Sequence, residues 1–272
     1  DDISHDRGSD QLYGEGGNDS LNGGLDRDFI YGGTGNDTVR VELGPADNVF
    51  GGAGEDTLEL FGSAVTINRS VTLGFSSWES GMGGPAQIEG FEIIKGTEDN
   101  DIIAYDEGQD TIFGNGGDDL ILGGQGIDTA RGGEGNDTIR ILDGEFIDNV
   151  FGGAGIDLLD LSDIAGASQA VTIAYNGVTG VYDFTGFGGV TILDGVEIVQ
   201  GTQLGDMIAL DTGDDRIDGE GGDDQLNAGG GNNTLFGGDG NDTVEGSTDG
   251  FDSADLGAGD DVMRFNSTLT IG

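Results

Sequence analysis

The sequence has no cysteine, which excludes disulfides and thiolate metal sites. Proline is nearly absent, with 2 residues, and there is a single histidine, His5. One histidine and no H-E-x-x-H motif leave no zinc-hydrolase site. His5 reads instead as the first residue of a turn. Basic residues are few: 9 Lys and Arg stand against 53 Asp and Glu, a formal charge of −44. Phosphate backbones are bound by clustered Lys and Arg, so no nucleic-acid partner is expected. No apolar run approaches the roughly 18 residues of a membrane helix, so no membrane span is expected. The opening DDISHDRGSD lacks a basic region followed by an apolar stretch, and no cleavable signal is read there. Without an initiator Met, the chain reads as trimmed or excised. Carboxylates are everywhere, but nothing marks out one pair as an acid–base dyad, and the expectation is a protein that is not an enzyme.

What remains is glycine, 58 residues of it, and acid. Self-repulsion at this charge favours an expanded chain. Yet 34% of residues are hydrophobic and they are regularly placed. Such a pattern implies that a cation completes the fold and that the chain is disordered without it.

The regularity is a nine-residue period. GGTGNDTVR at 32–40 returns as GGEGNDTIR at 132–140, and variants fill the chain. The units are anchored on Asp10, Asp19, Asp28, Asp37, Asp47, Asp56, Asp101, Asp110, Asp119, Asp128, Asp137, Asp148, Asp157, Asp206, Asp215, Asp224, Asn233, Asp242, Asp252 and Asp261. Two residues after every anchor comes an apolar residue, from Leu12 and Leu21 to Ala254 and Met263. Chance would place roughly seven there, so the positions form a buried ladder.

Each unit reads G-G-x-G-x-D-x-U-x, with U apolar. The glycines permit the positive φ angles of a tight turn, and D-x-U-x runs extended with U inward. A strand of about three residues is not stable alone. Two units therefore make a coil of eighteen residues with two strands face to face, and stacked coils bury a continuous apolar stripe. Residues eighteen apart lie above one another: Asp19 over Asp37, Asp101 over Asp119 and Asp137, Asp110 over Asp128. Stacked carboxylates repel by on the order of 1 to 4 kcal/mol per pair. Oxygen-only ligands in a flexible loop suit Ca²⁺, with six to eight ligands, better than octahedral Mg²⁺.

A larger repeat overlies the small one. NDTVRVELGPADNVFGGAGEDTLEL (36–60) matches NDTIRILDGEFIDNVFGGAGIDLLDL (136–161), and IEGFEIIKGT (88–97) matches LDGVEIVQGT (193–202). Three blocks are expected: 1–105, 106–210, and 211–272 as a partial array with a C-terminal cap. Segments 61–95 and 162–200 alternate apolar and polar residues. They read as strands that continue or flank the solenoid and bind little metal.

GGTGNDTVR, GGEGNDTIR, GGDGNDTVE and GNGGDDLIL make the chain resemble the RTX, or haemolysin-type, calcium-binding repeat family. The resemblance implies an all-β, right-handed parallel β-roll with Ca²⁺ between stacked turns. It implies side-chain ligands from the anchors above, and main-chain carbonyl ligands from turn residues including Gly14, Gly17, Gly32, Gly33, Thr34, Gly35, Gly114, Gly117, Gly132, Gly133, Gly135, Gly237, Gly238 and Gly240. Ions on the order of a dozen are expected. Asn233 replaces the acid; Asp26, Asp99 and Leu204 stand where the fourth glycine belongs, Leu204 being the least compatible; Asp47, Asp148 and Asp252 follow lengthened turns. Weak or vacant sites are expected at these turns.

Extracellular sites of the weak class fill at millimolar Ca²⁺, and the cytosol leaves them empty. The resemblance implies a Gram-negative type I secretion substrate, exported unfolded, with DDVMRFNSTLTIG read either as part of an export signal or as a cap. The leading expectation is a secreted or cell-surface structural rod, such as an adhesin stalk, surface-layer or filament component, able to associate with itself. Two alternatives stand beside it: the calcium-folding secretion domain of a larger protease, lipase or toxin, and a polysaccharide-binding module using Trp78, Phe75 and Tyr182.

Overall fold

In a computed structural model of the chain, the described residues are 1–5, 7–42, 47–62, 66–70, 75–78, 86–104, 108–122, 126, 128–141, 147–164, 170–176, 181–185, 192–246, 250 and 252–265. Among them every regular element is a strand, and no helix is long and apolar enough to cross a membrane. The D-x-U-x segments become these strands. Gln11–Tyr13, Ser20–Asn22, Leu120–Leu122 and Thr234–Phe236 are three residues long and bury only the middle one.

Consecutive units alternate between two faces, and units two apart pair in parallel. Leu12 lies beside Ile30, and Ile30 beside Val49. On the other face Leu21, Val39 and Leu58 are in register. The ladder of apolar residues is buried from Leu12 to Val244, with most members at or below 1% exposure. Ala254 is only partly buried against this core. Burying an aliphatic side chain contributes about 1.5–3 kcal/mol, and no single coil holds enough of them to fold alone. The solenoid expected from the period is what forms.

One sheet of fourteen strands runs from Gln11–Tyr13 to Ser253–Asp255, through all three sequence blocks. The opposite face carries a nine-stranded sheet from Asp2–Ser4 to Ile192–Asp194, then a six-stranded one from Val181–Thr185 to Val262–Phe265.

The two intervening segments are partly array and partly insertion. In the first, Thr66–Ser70, Phe75–Trp78 and Ala86–Glu89 pair antiparallel with one another. They fill the fourteen-stranded sheet between Asn48–Ala53 and Ile102–Ala104. Across the core, that interval holds the single strand Ile93–Lys95, which pairs with Thr57–Phe61 and Thr111–Gly116. In the second segment the faces exchange roles. The antiparallel pair Thr172–Asn176 and Val181–Thr185 extends the opposite face, while Ile198–Gln200 alone bridges Leu158–Asp160 and Arg216–Asp218. Each insertion widens one face by roughly 10 Å, two strand spacings. Because the insertions fall on opposite faces, the two offsets oppose.

The side chains of Trp78, Phe75 and Tyr182 lie outside the described residues. The described exposed aromatics are elsewhere: Tyr13 and Tyr31 are neighbours in register on the outer surface, with Phe29 and Phe50 beside them. At the far end Val262–Phe265 is an ordinary rung, pairing with Thr243–Gly246, and residues 266–272 are outside the description.

Candidate metal centre

The anchor aspartates stand at the edges where strands begin, and they stack as the eighteen-residue coil requires. In each column the backbone N–H of one anchor donates to Oδ1 of the anchor on the next coil. Asp19 N–H donates to Asp37 at 2.9 Å and Asp37 N–H to Asp56 at 2.8 Å. The same bond joins Asp10 to Asp28, Asp28 to Asp47, Asp101 to Asp119, Asp119 to Asp137 and Asp137 to Asp157. It joins Asp110 to Asp128, Asp206 to Asp224, Asp224 to Asp242 and Asp242 to Asp261.

One oxygen of each accepting carboxylate is thereby used. The other is left over. Oδ2 of Asp19, Asp28, Asp37, Asp56, Asp119, Asp137, Asp157, Asp215, Asp224 and Asp242 is buried and meets no hydrogen-bond donor among the described residues. A buried unsatisfied charged oxygen costs several kcal/mol, and one turn after another carries it. At Asp10 the free side faces His5, whose Nδ1 is 3.4 Å from Oδ2; His5 does open that turn.

The leftover oxygens face backbone carbonyls. An ideal Cβ on Gly14 would lie 2.6 Å from Asp19 Oδ2 and against the Gly32 carbonyl oxygen of the next coil. At Gly114 and Gly219 the same space lies between Asp119 Oδ2 and the Gly132 carbonyl, and between Asp224 Oδ2 and the Gly237 carbonyl. Carbonyls at the second and fourth turn positions rise from the coil below: Gly33 toward Gly52, Gly133 toward Gly153, Gly238 toward Gly257, Gly17 toward Gly35, Gly35 toward Gly54, Gly117 toward Gly135, Gly135 toward Gly155 and Gly240 toward Gly259. The Thr34 carbonyl, expected among the ligands, accepts the Gly17 N–H at 2.8 Å, which uses one of its two lone pairs. Among the described residues no three acidic or imidazole side chains converge. A cation in these gaps would therefore rely on carbonyls as much as on carboxylates.

Electrostatics gives the same picture. Burial pushes Asp119 up to about 7, helped by the charges of Asp137 and Asp101 and opposed by the Asp101 N–H. Burial likewise lifts Asp224 to about 8, Asp47 and Asp215 to about 7, and Asp56 and Asp157 to about 6. Asp160, on a strand face, is a control. Burial works upward there too, but hydrogen bonds from Ser162 and the Arg140 guanidinium, whose Nε is 2.7 Å away, hold it below its ordinary value. At Asp119, Asp157, Asp215 and Asp224 no cationic group is among the causes of the shift, and at Asp47 the Arg27 charge opposes burial without outweighing it.

Some anchors differ. Both oxygens of Asp101 are satisfied internally: Oδ2 accepts the Thr97 N–H at 2.6 Å, and the Thr97 hydroxyl lies 3.0 Å from Oδ1. Thr202 does the same for Asp206, at 2.7 Å from its N–H and 3.1 Å from its hydroxyl. These two turns hold a threonine at the second position, and Thr97, Asp99, Thr202 and Leu204 all keep negative φ. Leu204 is thus compatible after all, because its turn is not the glycine turn that the period implied. Asp26 does take the glycine conformation, at φ 86°. Asn233 accepts the Asp215 N–H at 2.9 Å and donates to Asp252 at 3.1 Å, and the buried methyl of Ala228 stands where other turns have their first glycine. Asp148's side chain lies outside the described residues.

Within the two insertions, sequence reasoning missed two anchors. Glu92 Oε2 accepts the Asp56 N–H at 2.7 Å, and Glu197 Oε2 accepts the Asp157 N–H at 2.9 Å. The signal was there: in Glu92-Ile93-Ile94 and Glu197-Ile198-Val199 an acid precedes a fully buried residue by two.

A parallel β-solenoid with columns of half-satisfied carboxylates at its turns defines a repeat protein built to take cations between coils. The RTX calcium-binding nonapeptide repeat model matches residues 6–39, 46–60, 89–121, 122–140, 200–244 and 236–267, and the chain belongs to this calcium-binding family. No curated protein matches the chain.

Proposed function

We propose that the chain is a calcium-dependent structural element, a rod secreted by or displayed on a bacterium, that folds when extracellular Ca²⁺ fills the gaps between its coils. The repeated buried Oδ2 without a donor supports this reading. In it, Asp19, Asp28, Asp37, Asp119, Asp137, Asp215, Asp224 and Asp242 hold ions together with the glycine carbonyls that face them. The self-satisfied Asp101, Asp206 and Asn233 contribute least. The requirement for many oxygens at adaptable angles favours Ca²⁺ over Mg²⁺. Filling at millimolar concentration ties the fold to the outside of the cell, and a strut of stacked coils is a load-bearing shape with no catalytic part to play.

Force spectroscopy on the chain held at its two ends tests the role. In millimolar Ca²⁺ the expected trace resists extension and gives way coil by coil, and chelator abolishes that resistance. Featureless extension in both conditions would contradict a load-bearing rod.

A further inference from the structure

We infer that Glu92 and Glu197 complete two additional calcium sites that carry the ion ladder across the two insertions. The inference rests on the calcium reading of the aspartate columns, and places ions where the sequence pattern offers no nonapeptide turn.

The strands Ile93–Lys95 and Ile198–Gln200 are full rungs. Ile94 lies in register between Leu58 and Ile112, and Val199 between Leu159 and Ile217. The turns that lead into them are only Gly90-Phe91-Glu92 and Gly195-Val196-Glu197, half the usual length. The shorter turn keeps the acid's backbone against the column, the Glu92 and Glu197 N–H groups donating to the Asp56 and Asp157 carbonyls at 3.1 and 3.2 Å. The glutamate Oε2 takes the N–H that an aspartate Oδ1 takes elsewhere.

The gap below each glutamate has the same anatomy as the other gaps. Asp56 and Asp157 are fully buried, and Oδ2 of each meets no donor among the described residues. An ideal Cβ on Gly51 would lie 2.7 Å from Asp56 Oδ2 and overlap the Gly90 carbonyl oxygen. On Gly152 it would lie 2.6 Å from Asp157 Oδ2 and overlap the Gly195 carbonyl oxygen. Carbonyl and unpartnered carboxylate therefore converge at both places, with a second carboxylate one bond from the column. Both copies of the larger repeat keep this arrangement, Glu92 in IEGFEIIKGT and Glu197 in LDGVEIVQGT, with the same carbonyl and unpartnered carboxylate beside each. The other edge of each insertion is closed by Thr97 and Thr202, which satisfy their aspartates without metal. The ladder thus passes each insertion on one edge and stops on the other.

The test counts ions by native mass spectrometry in saturating Ca²⁺, on the wild-type chain and on the Glu92→Gln, Glu197→Gln double variant. The amide keeps an acceptor for the Asp56 and Asp157 N–H groups and removes only the charge. The expected result is a loss of one ion per substituted site, with strand content by circular dichroism unchanged. A count equal to the wild type overturns the inference. A wild-type chain that binds no Ca²⁺ overturns the underlying calcium reading instead, so the two failures are distinct. If the double variant loses strand content, each single variant is counted in its place, and an unchanged count in both again overturns the inference.

Discussion

Stripped of calcium and brought from about pH 8 to about pH 4.5, the chain is expected to gain strand content, the reverse of ordinary acid denaturation. The sign follows from the column carboxylates. Their folded-state pKa values are raised, to about 7 for Asp47, Asp119 and Asp215 and about 8 for Asp224, above the 3.8 of an exposed aspartate. A raised carboxylate favours the folded state fully below the unfolded value. That advantage is lost as pH rises through the folded value, so without metal the fold weakens between about pH 4 and about pH 8. Lower pH also reduces the net charge. About 1 M salt at pH 8 separates the two effects, because it screens repulsion between exposed charges but leaves the cost of burying an ionised carboxylate. Strand content is therefore not expected to return in salt. With calcium present the direction inverts: protons compete for the same oxygens, and the calcium midpoint falls as pH rises. Circular dichroism against pH in chelator reads the first part. Strand content that is equal or greater at pH 8 would show that the columns do not oppose the metal-free fold.

The second large effect comes from a single methyl group. Gly132→Ala would place Cβ 2.5 Å from the Gly152 carbonyl oxygen and closer still to Asp137 Oδ2. The first is backbone and the second belongs to a short carboxylate pinned through Oδ1 by the Asp119 N–H, so the coils must separate. Overpacking of this kind costs about 1–3 kcal/mol, and the methyl also occupies the space between the two oxygens proposed to hold an ion. The expected result is a calcium midpoint raised by about tenfold or more, equivalent to about 1.4 kcal/mol. Gly230→Ala is the comparison. Its Cβ would meet only the Thr212 side chain, Cγ2 at 3.5 Å and Cβ at 3.9 Å, and its φ is not in the left-handed region. That substitution is expected to be neutral or to stabilise by up to about 1 kcal/mol, through a less flexible unfolded chain. Equal midpoints for the two variants would remove the steric account of the first glycine. The same contrast explains the motif itself: the first glycine faces oxygens of its own and the next coil, while the third position faces outward and tolerates Thr34, Glu134 or Asp239.

The ladder and the columns were legible because both rest on strict spacing. An apolar residue two after each acid can only be a buried strand residue when the turns stack, and Leu21, Val39 and Leu58 do stack. Asp19 over Asp37, and Asp101 over Asp119 over Asp137, followed from the same eighteen-residue arithmetic. What escaped had exchanged the glycine signature for another device. Glu92 and Glu197 follow turns too short to show the motif. Thr97 and Thr202 are β-branched residues that disfavour positive φ, so their turns close through side-chain hydrogen bonds instead. Asp1 was missed as well: it stands nine residues before Asp10 and two before Ile3, and Asp2–Ser4 pairs with Ser20–Asn22 as the first rung. The antiparallel insertions were legible only as strand-rich segments. Period-two alternation fixes which side chains share a face, not the direction in which neighbouring strands run.

The most direct measurement is far-UV circular dichroism at about pH 7.5 during a Ca²⁺ titration, with chelator reversal and Mg²⁺ in parallel. The account predicts a strand signal that appears cooperatively between sub-millimolar and millimolar Ca²⁺, vanishes in chelator and is absent with Mg²⁺. A full strand signal in chelator at that pH would mean that the stacked aspartates hold together without cations, and calcium would not be what folds this chain.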